Sequence, residues 1–425
     1  MLVGWIKKIL STKTFRDSGV TLFGTAINGL IGVIFYILIA RHLGPANYGI
    51  FAVSITTLTL TADIFSLGVG TGIIRFVGKY ITTDADKAFK IMKLSFLVNF
   101  GTWLLVLGVG WFLMPLLAIY GFQKPELVWP LKLATIGVGG ALLNSFVTNA
   151  FQALQCYWKW MSVNVFGNLL RLLLLLGLVY CGWLNASTGI VAYLLPLFAG
   201  FLIGLIFLPN FWRVSVRGET KLTHELFSFN KWVSLFIVIT AISSRLDTFL
   251  ASKFLSLYEV GIYSVAVSLT GIVPQVVYAL GAVVAPKLAG FNDRATVVKY
   301  LKKLQLFVLG LSIAGILVGI ILSKVAIPYF YGEAYLTSFG PFVILLVSQA
   351  IFLLAVPVHT TVMYYFARSD VFVWISLVHL SVVLLLGYLG VINYGYMGLA
   401  VTMLIGNVLN LLIPAFWVVK KFRKL

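Results

Sequence analysis

The sequence predicts an all-α polytopic membrane protein of about twelve transmembrane helices. They form two pseudo-symmetric six-helix lobes around a central cavity, with the N- and C-termini both cytoplasmic. Three observations carry this: recurring apolar stretches about 20 residues long, a one-sided distribution of Lys and Arg, and an internal repeat. Of 425 residues, 61% are hydrophobic and only 10% are charged, and the mean hydropathy is +1.04. That balance excludes a disordered chain, which needs low hydrophobicity. The 31 Lys and Arg residues against 12 Asp and Glu give a net charge of +19. They gather into no single patch, which excludes a nucleic-acid partner.

The apolar spans run over residues 19–40, 48–74, 94–119, 128–151, 161–181, 188–211, 232–252, 260–285, 304–327, 337–362, 371–392 and 396–418. They are helices rather than barrel strands. A barrel strand alternates over about ten residues, whereas a run such as 169–179 is apolar throughout. With the N-terminus in the cytoplasm, 24 of the cations fall inside, five outside, and two, Arg171 and Arg245, within spans. This is a strong positive-inside bias and requires an even number of crossings.

Residues 1–18 form an amphipathic cytoplasmic tail. Trp5, Ile6, Ile9 and Leu10 share a helical face beside Lys7, Lys8 and Lys13, a pattern suited to anionic membrane lipids. Residues 419–425 form a basic cytoplasmic tail. Cys156 and Cys181 lie at opposite ends of the fifth span, roughly 37 Å apart along a helix, too far for a disulfide.

A shift of 212 residues lays Arg41 over Lys253, Leu43 over Leu255, Gly49 over Gly261, Ile50 over Ile262 and Arg75 over Lys287. The repeat divides the chain into an N-terminal lobe (19–211), a cytoplasmic linker (212–231) and a C-terminal lobe (232–418). Each half has an even number of spans, so the pseudo-twofold axis runs along the membrane normal.

A charge at mid-membrane costs about 2.5–3.5 kcal/mol on insertion scales and by default marks a functional position. Asp63, Arg171, Arg245 and Asp247 sit within spans. Asn164, Asn168 and Arg171 fall on one face of the fifth span. Similar polar stripes run through Thr21, Thr25 and Asn28, through Thr56, Thr59, Asp63 and Ser66, through Asn144, Thr148 and Gln152, and through Ser264, Ser268 and Gln275. Such stripes face other helices or a wet cavity, not lipid. Two arginines in a cavity suit a phosphate-bearing anion. Arg245 and Asp247 are two residues apart and point to different sides; Arg245 is assigned to the cavity and Asp247 to packing. Pro196, Pro274, Pro357 and Pro414 lie within spans, where each removes a backbone hydrogen bond.

No G-x-x-x-x-G-K-[ST] loop is present. His42, His224, His359 and His379 have no metal-ligand spacing. No nucleophile elbow occurs. The chain therefore reads as neither an ATPase nor another enzyme, without metal or cofactor. The outer loops are also too short for a glycosyltransferase or ligase domain.

The segment Ala40-Arg41-His42-Leu43-Gly44-Pro45-Ala46-Asn47-Tyr48-Gly49-Ile50-Phe51 resembles the A-R-x-L-G-P-x-x-Y-G-x-F segment of the polysaccharide biosynthesis transporters. These are oligosaccharide flippases of the multidrug/oligosaccharidyl-lipid/polysaccharide (MOP) superfamily. Leu67-Gly68-Val69-Gly70 through Arg75-Phe76 is similar to their second-helix motif, and Arg245-Leu246-Asp247 with Gly261 to the second-half motif. Many relatives carry an acid just before the glycine run, where this chain has Ser66 and, one turn earlier, Asp63.

The resemblance implies flipping of a polyprenyl-diphosphate-linked oligosaccharide across the cytoplasmic membrane of a prokaryote by alternating access. The repeat unit would belong to O-antigen, capsule or exopolysaccharide. Arg171, Arg245, Asn164, Asn168, Asp63 and Gln275 are the expected substrate contacts, and Asp63 and Asp247 the expected coupling or packing acids, with H⁺ or Na⁺ as the coupling ion. A polysaccharide polymerase and glycosyltransferases are the expected protein partners. The alternative is a cation-coupled multidrug or metabolite exporter of the same superfamily.

Overall fold

The computed structural model describes residues 13–216, 220–291, 293–366, 368 and 370–424. The expected interfacial face of the tail, Trp5 to Leu10, lies outside the described residues. Among the described residues the chain is helical, without strands. The long helices are α1 (Lys13–Phe65), α2 (Ala85–Leu116), α3 (Val128–Ala153), α4 (Tyr157–Tyr180), α5 (Ala186–Phe207), α6 (Thr220–Phe254), α7 (Leu257–Thr270), α8 (Ile272–Ala289), α9 (Arg294–Ala326), α10 (Phe339–Thr360) and α11 (Asp370–Lys424). Among the described residues ten helical segments are long and apolar enough to cross a membrane. Large side chains such as Phe112, Ile206 and Leu322 are exposed along them, a surface that only lipid covers cheaply.

By their internal contacts the residues fall into two units. The first comprises the residues up to Leu43 and Ser54–Val238; the second comprises Gly44–Val53 and Ile239–Leu425. The segment Gly44–Val53 thus groups with the second unit, while the chain on either side of it groups with the first.

In the first unit, close contacts at glycines give the helix directions. A Cβ at Gly137 would overlap Leu58 and touch Leu194, one at Gly204 would overlap Val147, and one at Gly70 would overlap Asn149. The arm of α1 after residue 53 therefore runs parallel to α3, and α3 parallel to α5. The arm before Gly44 runs antiparallel to α5, because Ile39 faces Gly189 and the Phe35 ring lies 6.2 Å from that of Tyr193. The chain must reverse between the two arms. It does so at Gly44, whose φ of 70° and ψ of 167° favour a residue without a Cβ. Leu67 and Gly68, at φ 49° and 66°, break the predicted second span before its expected end.

The starts of two helices also differ from the hydropathy boundaries. α2 and α9 begin at Ala85 and Arg294, ahead of residues 94 and 304, because Asp84 and Asp293 cap them. Asp84 Oδ1 accepts from the Lys87 backbone N–H at 3.0 Å and Asp293 Oδ1 from that of Thr296 at 2.7 Å. Hydrogen bonding from Thr296 holds the Asp293 carboxyl below the usual carboxylate range. α6 begins at Thr220, within the segment read as linker. The start of that segment is fastened to the first unit: Lys93 Nζ donates to the carbonyls of Trp212 at 2.9 Å and Val214 at 2.7 Å. The Phe96 and Trp212 rings meet at 4.7 Å.

In the second unit, α11 also doubles back. A Cβ at Gly390 would approach the Gly398 carbonyl, and one at Gly406 would meet His379. The reversal falls at Gly395, with φ 57° and ψ −142°. The predicted eighth span is two helices, α7 and α8, divided at Gly271. Pro274 lacks an N–H, and its ring would clash with the carbonyl four residues earlier, at Thr270.

The repeat becomes physical within this unit. A Cβ at Gly49 would overlap the carbonyl oxygen of Leu257, and a Cβ at Gly261 would overlap that of Pro45. The 212-residue shift carries Pro45 onto Leu257 and Gly49 onto Gly261. The contact is thus reciprocal, with the geometry of a twofold axis. Gly261→Ala should lower stability by about 1–3 kcal/mol, since overpacking against backbone has no cheap relief. Gly101→Ala, where no atom lies within 4 Å, should gain about 0.5–1 kcal/mol. Thermal unfolding of the detergent-purified variants checks both, and equal midpoints would contradict the packing described.

Candidate functional site

Arg171 lies midway along α4 and is half-buried. Its guanidinium carbon sits 3.9 Å from the centroid of the Tyr193 ring on α5 and 5.6 Å from that of Phe35 on α1. Its Nε is buried without a hydrogen-bond partner. Three helices converge here because of small and polar contacts on both sides. A Cβ at Gly24 would overlap Met161, and Gly167 faces the Pro196 carbonyl. Asn168 Nδ2 donates to Asn28 Oδ1 at 3.0 Å, joining α4 to the first arm of α1 one turn from Arg171. Among the described residues Arg171 has aromatic partners and no carboxylate partner.

Asn164 lies on the same face but turns to its own helix, with Nδ2 donating to the Trp160 carbonyl at 2.8 Å. Asp63 is half-buried on the second arm of α1, and its backbone carbonyl accepts from Ser66 Oγ at 2.8 Å. The Thr59 hydroxyl donates to the Ile55 carbonyl at 2.9 Å. Much of this stripe therefore satisfies itself within one helix. Among the described residues the buried Nε–H of Arg171 has no hydrogen-bond partner.

Arg245, Asp247 and Gln275 belong to the second unit. Arg245 is half-buried and Gln275 exposed. Asp247 is only 4% exposed. Its Oδ2 accepts from the Tyr263 hydroxyl and its Oδ1 from the Thr248 backbone N–H, both at 2.7 Å. The Tyr263 bond fastens α6 to α7, and no salt bridge to Asp247 occurs among the described residues. His379 Nδ1 pairs with Ser243 Oγ at 2.7 Å, and His359 Nε2 with the Asn410 carbonyl at 2.8 Å. Both imidazoles bridge helices.

The motif residues are structural. Pro45, Tyr48, Gly49 and Gly261 are buried in the reciprocal contact region and Leu43 is buried beside it, while Gly44 forms the reversal. Gly68 packs against Val233. Arg41 and Arg75 are exposed, Arg75 lying 5.7 Å from the Phe76 ring. Tyr193 and Phe35 were not legible as site residues. An aromatic residue in an apolar span reads as packing until a neighbouring helix supplies the cation.

The chain is similar to known proteins in sequence and in fold. The sequence profile of a family described as "Polysaccharide biosynthesis protein" matches residues 14–291. A Shigella flexneri protein named "Putative O-antigen transporter" is 24% identical over 412 residues, covering 94% of this chain and 96% of the relative. Among solved structures, a multidrug resistance MATE family transporter of the MOP superfamily in an inward-facing conformation superposes with a TM-score of 0.77 at 13% identity, covering 93% of this chain and 95% of that one. The lipid II flippase MurJ in an inward closed conformation gives 0.73 at 16% identity, covering 95% and 89%. These two likenesses establish the fold. The family match spans more than half of a polytopic membrane chain whose motif residues form its helix reversal and closest contact, and the chain belongs to the polysaccharide biosynthesis protein family.

Proposed function

We propose that this protein flips a polyprenyl-diphosphate-linked oligosaccharide, an O-antigen, capsule or exopolysaccharide repeat unit, from the inner to the outer leaflet of a prokaryotic cytoplasmic membrane. Alternating access by two six-helix lobes, twelve passes with both ends cytoplasmic, is the reading that goes with it. The observation that carries it is Arg171: a permanent cation in a membrane span, braced by rings and left without a counter-charge among the described residues. A diphosphate or an acidic sugar supplies the oxygens that such a group binds well. The relative named for O-antigen transport, matched end to end, supports the same substrate class. In this reading the protein is not an enzyme. Glycosyltransferases supply its substrate and a polymerase consumes it.

The fold likeness to a multidrug MATE transporter supports export of small molecules as the second reading. An uncompensated guanidinium repels the cationic drugs typical of such exporters, which favours the first. Arg245, in the second unit, is kept as an expected contact of an anionic substrate. The coupling ion, H⁺ or Na⁺, is assigned to Asp63, an acid within a membrane span.

Arg171→Ala should lower surface polysaccharide about tenfold or more at matched protein levels, as expected when charge-assisted hydrogen bonds worth about 1.5–3 kcal/mol are lost. Unchanged polymer contradicts the assignment, and a gain in drug resistance on expression of the wild type favours the exporter. Asp63→Asn should remove the response of flipping to an imposed H⁺ or Na⁺ gradient in proteoliposomes. A gradient response equal to wild type would exclude Asp63 as the coupling residue.

A further inference from the structure

Arg171 solves an electrostatic problem in an unusual way. A buried cation is ordinarily stabilised by a carboxylate, which also cancels its charge. Here the guanidinium lies over the Tyr193 ring at 3.9 Å, with Phe35 at 5.6 Å on α1. The two rings are 6.2 Å apart and inclined at 51°. Ring faces attract the cation through their quadrupole and leave its net charge intact. A guanidinium that stacks on a ring keeps its donors available, because they lie in its plane, at the edge. The Asn28–Asn168 hydrogen bond one turn away holds the two helices that carry Phe35 and Arg171 in register.

We propose that Tyr193 is the positioning residue of an oxyanion subsite. It fixes the plane of the Arg171 guanidinium so that the edge meets two oxygens of one phosphate or carboxylate group. This rests on the reading that Arg171 faces the substrate. It adds that the aromatic ring, and not a carboxylate, sets the affinity of the site. It also requires a planar cation, so Lys is no substitute at this position.

Detergent-purified full-length protein is titrated with inorganic pyrophosphate and, separately, with glucuronate, at constant ionic strength. Ligand-induced shifts in the unfolding midpoint give the apparent dissociation constant. Pyrophosphate acting alone marks the diphosphate as the ligand source, and glucuronate alone marks an acidic sugar. Tyr193→Phe should bind within about twofold of wild type, and Tyr193→Leu and Arg171→Lys about tenfold more weakly. Pentafluorophenylalanine at position 193 keeps the ring's shape and reverses its quadrupole. It should weaken binding as Leu does, which a merely structural ring would not, and it serves if Tyr193→Leu fails to fold. If Arg171→Ala abolishes binding while the Leu and pentafluorophenyl variants bind like wild type, the inference about Tyr193 is overturned and the reading of Arg171 survives. If wild type binds neither ion, or Arg171→Ala binds as wild type does, the reading of Arg171 itself fails.

Discussion

Hydrocarbon offers a polypeptide no hydrogen-bond partner, and this constraint shapes every part of the molecule. Backbone polar groups must be satisfied within the chain, so the structure is helical throughout its described membrane segments. Helices in lipid gain little from burying apolar surface and associate through close packing and shared polar contacts. The reciprocal contact of Gly49 with Leu257 and of Gly261 with Pro45 is the extreme case, with backbone against backbone. The same constraint disposes of many polar side chains. The hydroxyls of Thr25, Thr59 and Thr360 donate to carbonyls of their own helices, and Asn407 to Ser348 on a neighbouring one. A polar stripe in such a protein is therefore mostly internal fastening.

Against that background Arg171 stands apart. Its insertion costs about 2.5–3.5 kcal/mol, and a desolvated cation–π contact returns up to about 2 kcal/mol. The remainder is not met by any described carboxylate. An evolved structure that left the charge uncompensated for packing alone would be less stable than one with Leu in its place. In the proposed function a transported oxyanion gives the charge a purpose. In the proposed reading the net charge of +19 divides into a large topological part and a small chemical part. Even the topological part has structural duties, since Lys93 ties down the start of the connecting segment and Lys159 donates to the terminal Phe207 carbonyl of α5 at 3.1 Å.

Apolar length and charge asymmetry made the spans legible, because both are additive properties of a one-dimensional string. The reversals at Gly44 and Gly395 fall in the gaps between predicted spans, after residues 40 and 392. Helix starts were not legible. Hydropathy ends where lipid ends, whereas Asp84 and Asp293 cap their helices at residues beyond it. The break at Gly271 was signalled by Pro274 and masked because residues 260–285 read as one span by mean hydropathy. In the site, helical periodicity placed Asn164, Asn168 and Arg171 on one face, but it could not tell which of them turns back on its own helix. Tyr193 and Tyr263 were invisible as functional partners because each meets its ion only through tertiary structure, 22 residues from Arg171 and 16 from Asp247 along the chain.

The central claim is that Arg171 binds the anionic part of a lipid-linked oligosaccharide as it crosses the bilayer. The most direct measurement is transbilayer movement of a fluorescent polyprenyl-diphosphate oligosaccharide in proteoliposomes holding equal amounts of wild type or Arg171→Ala protein. The account predicts flipping by the wild type and its loss in the variant, with both proteins equally folded. Equal flipping by the two, or none by the wild type under an imposed H⁺ or Na⁺ gradient, would contradict it.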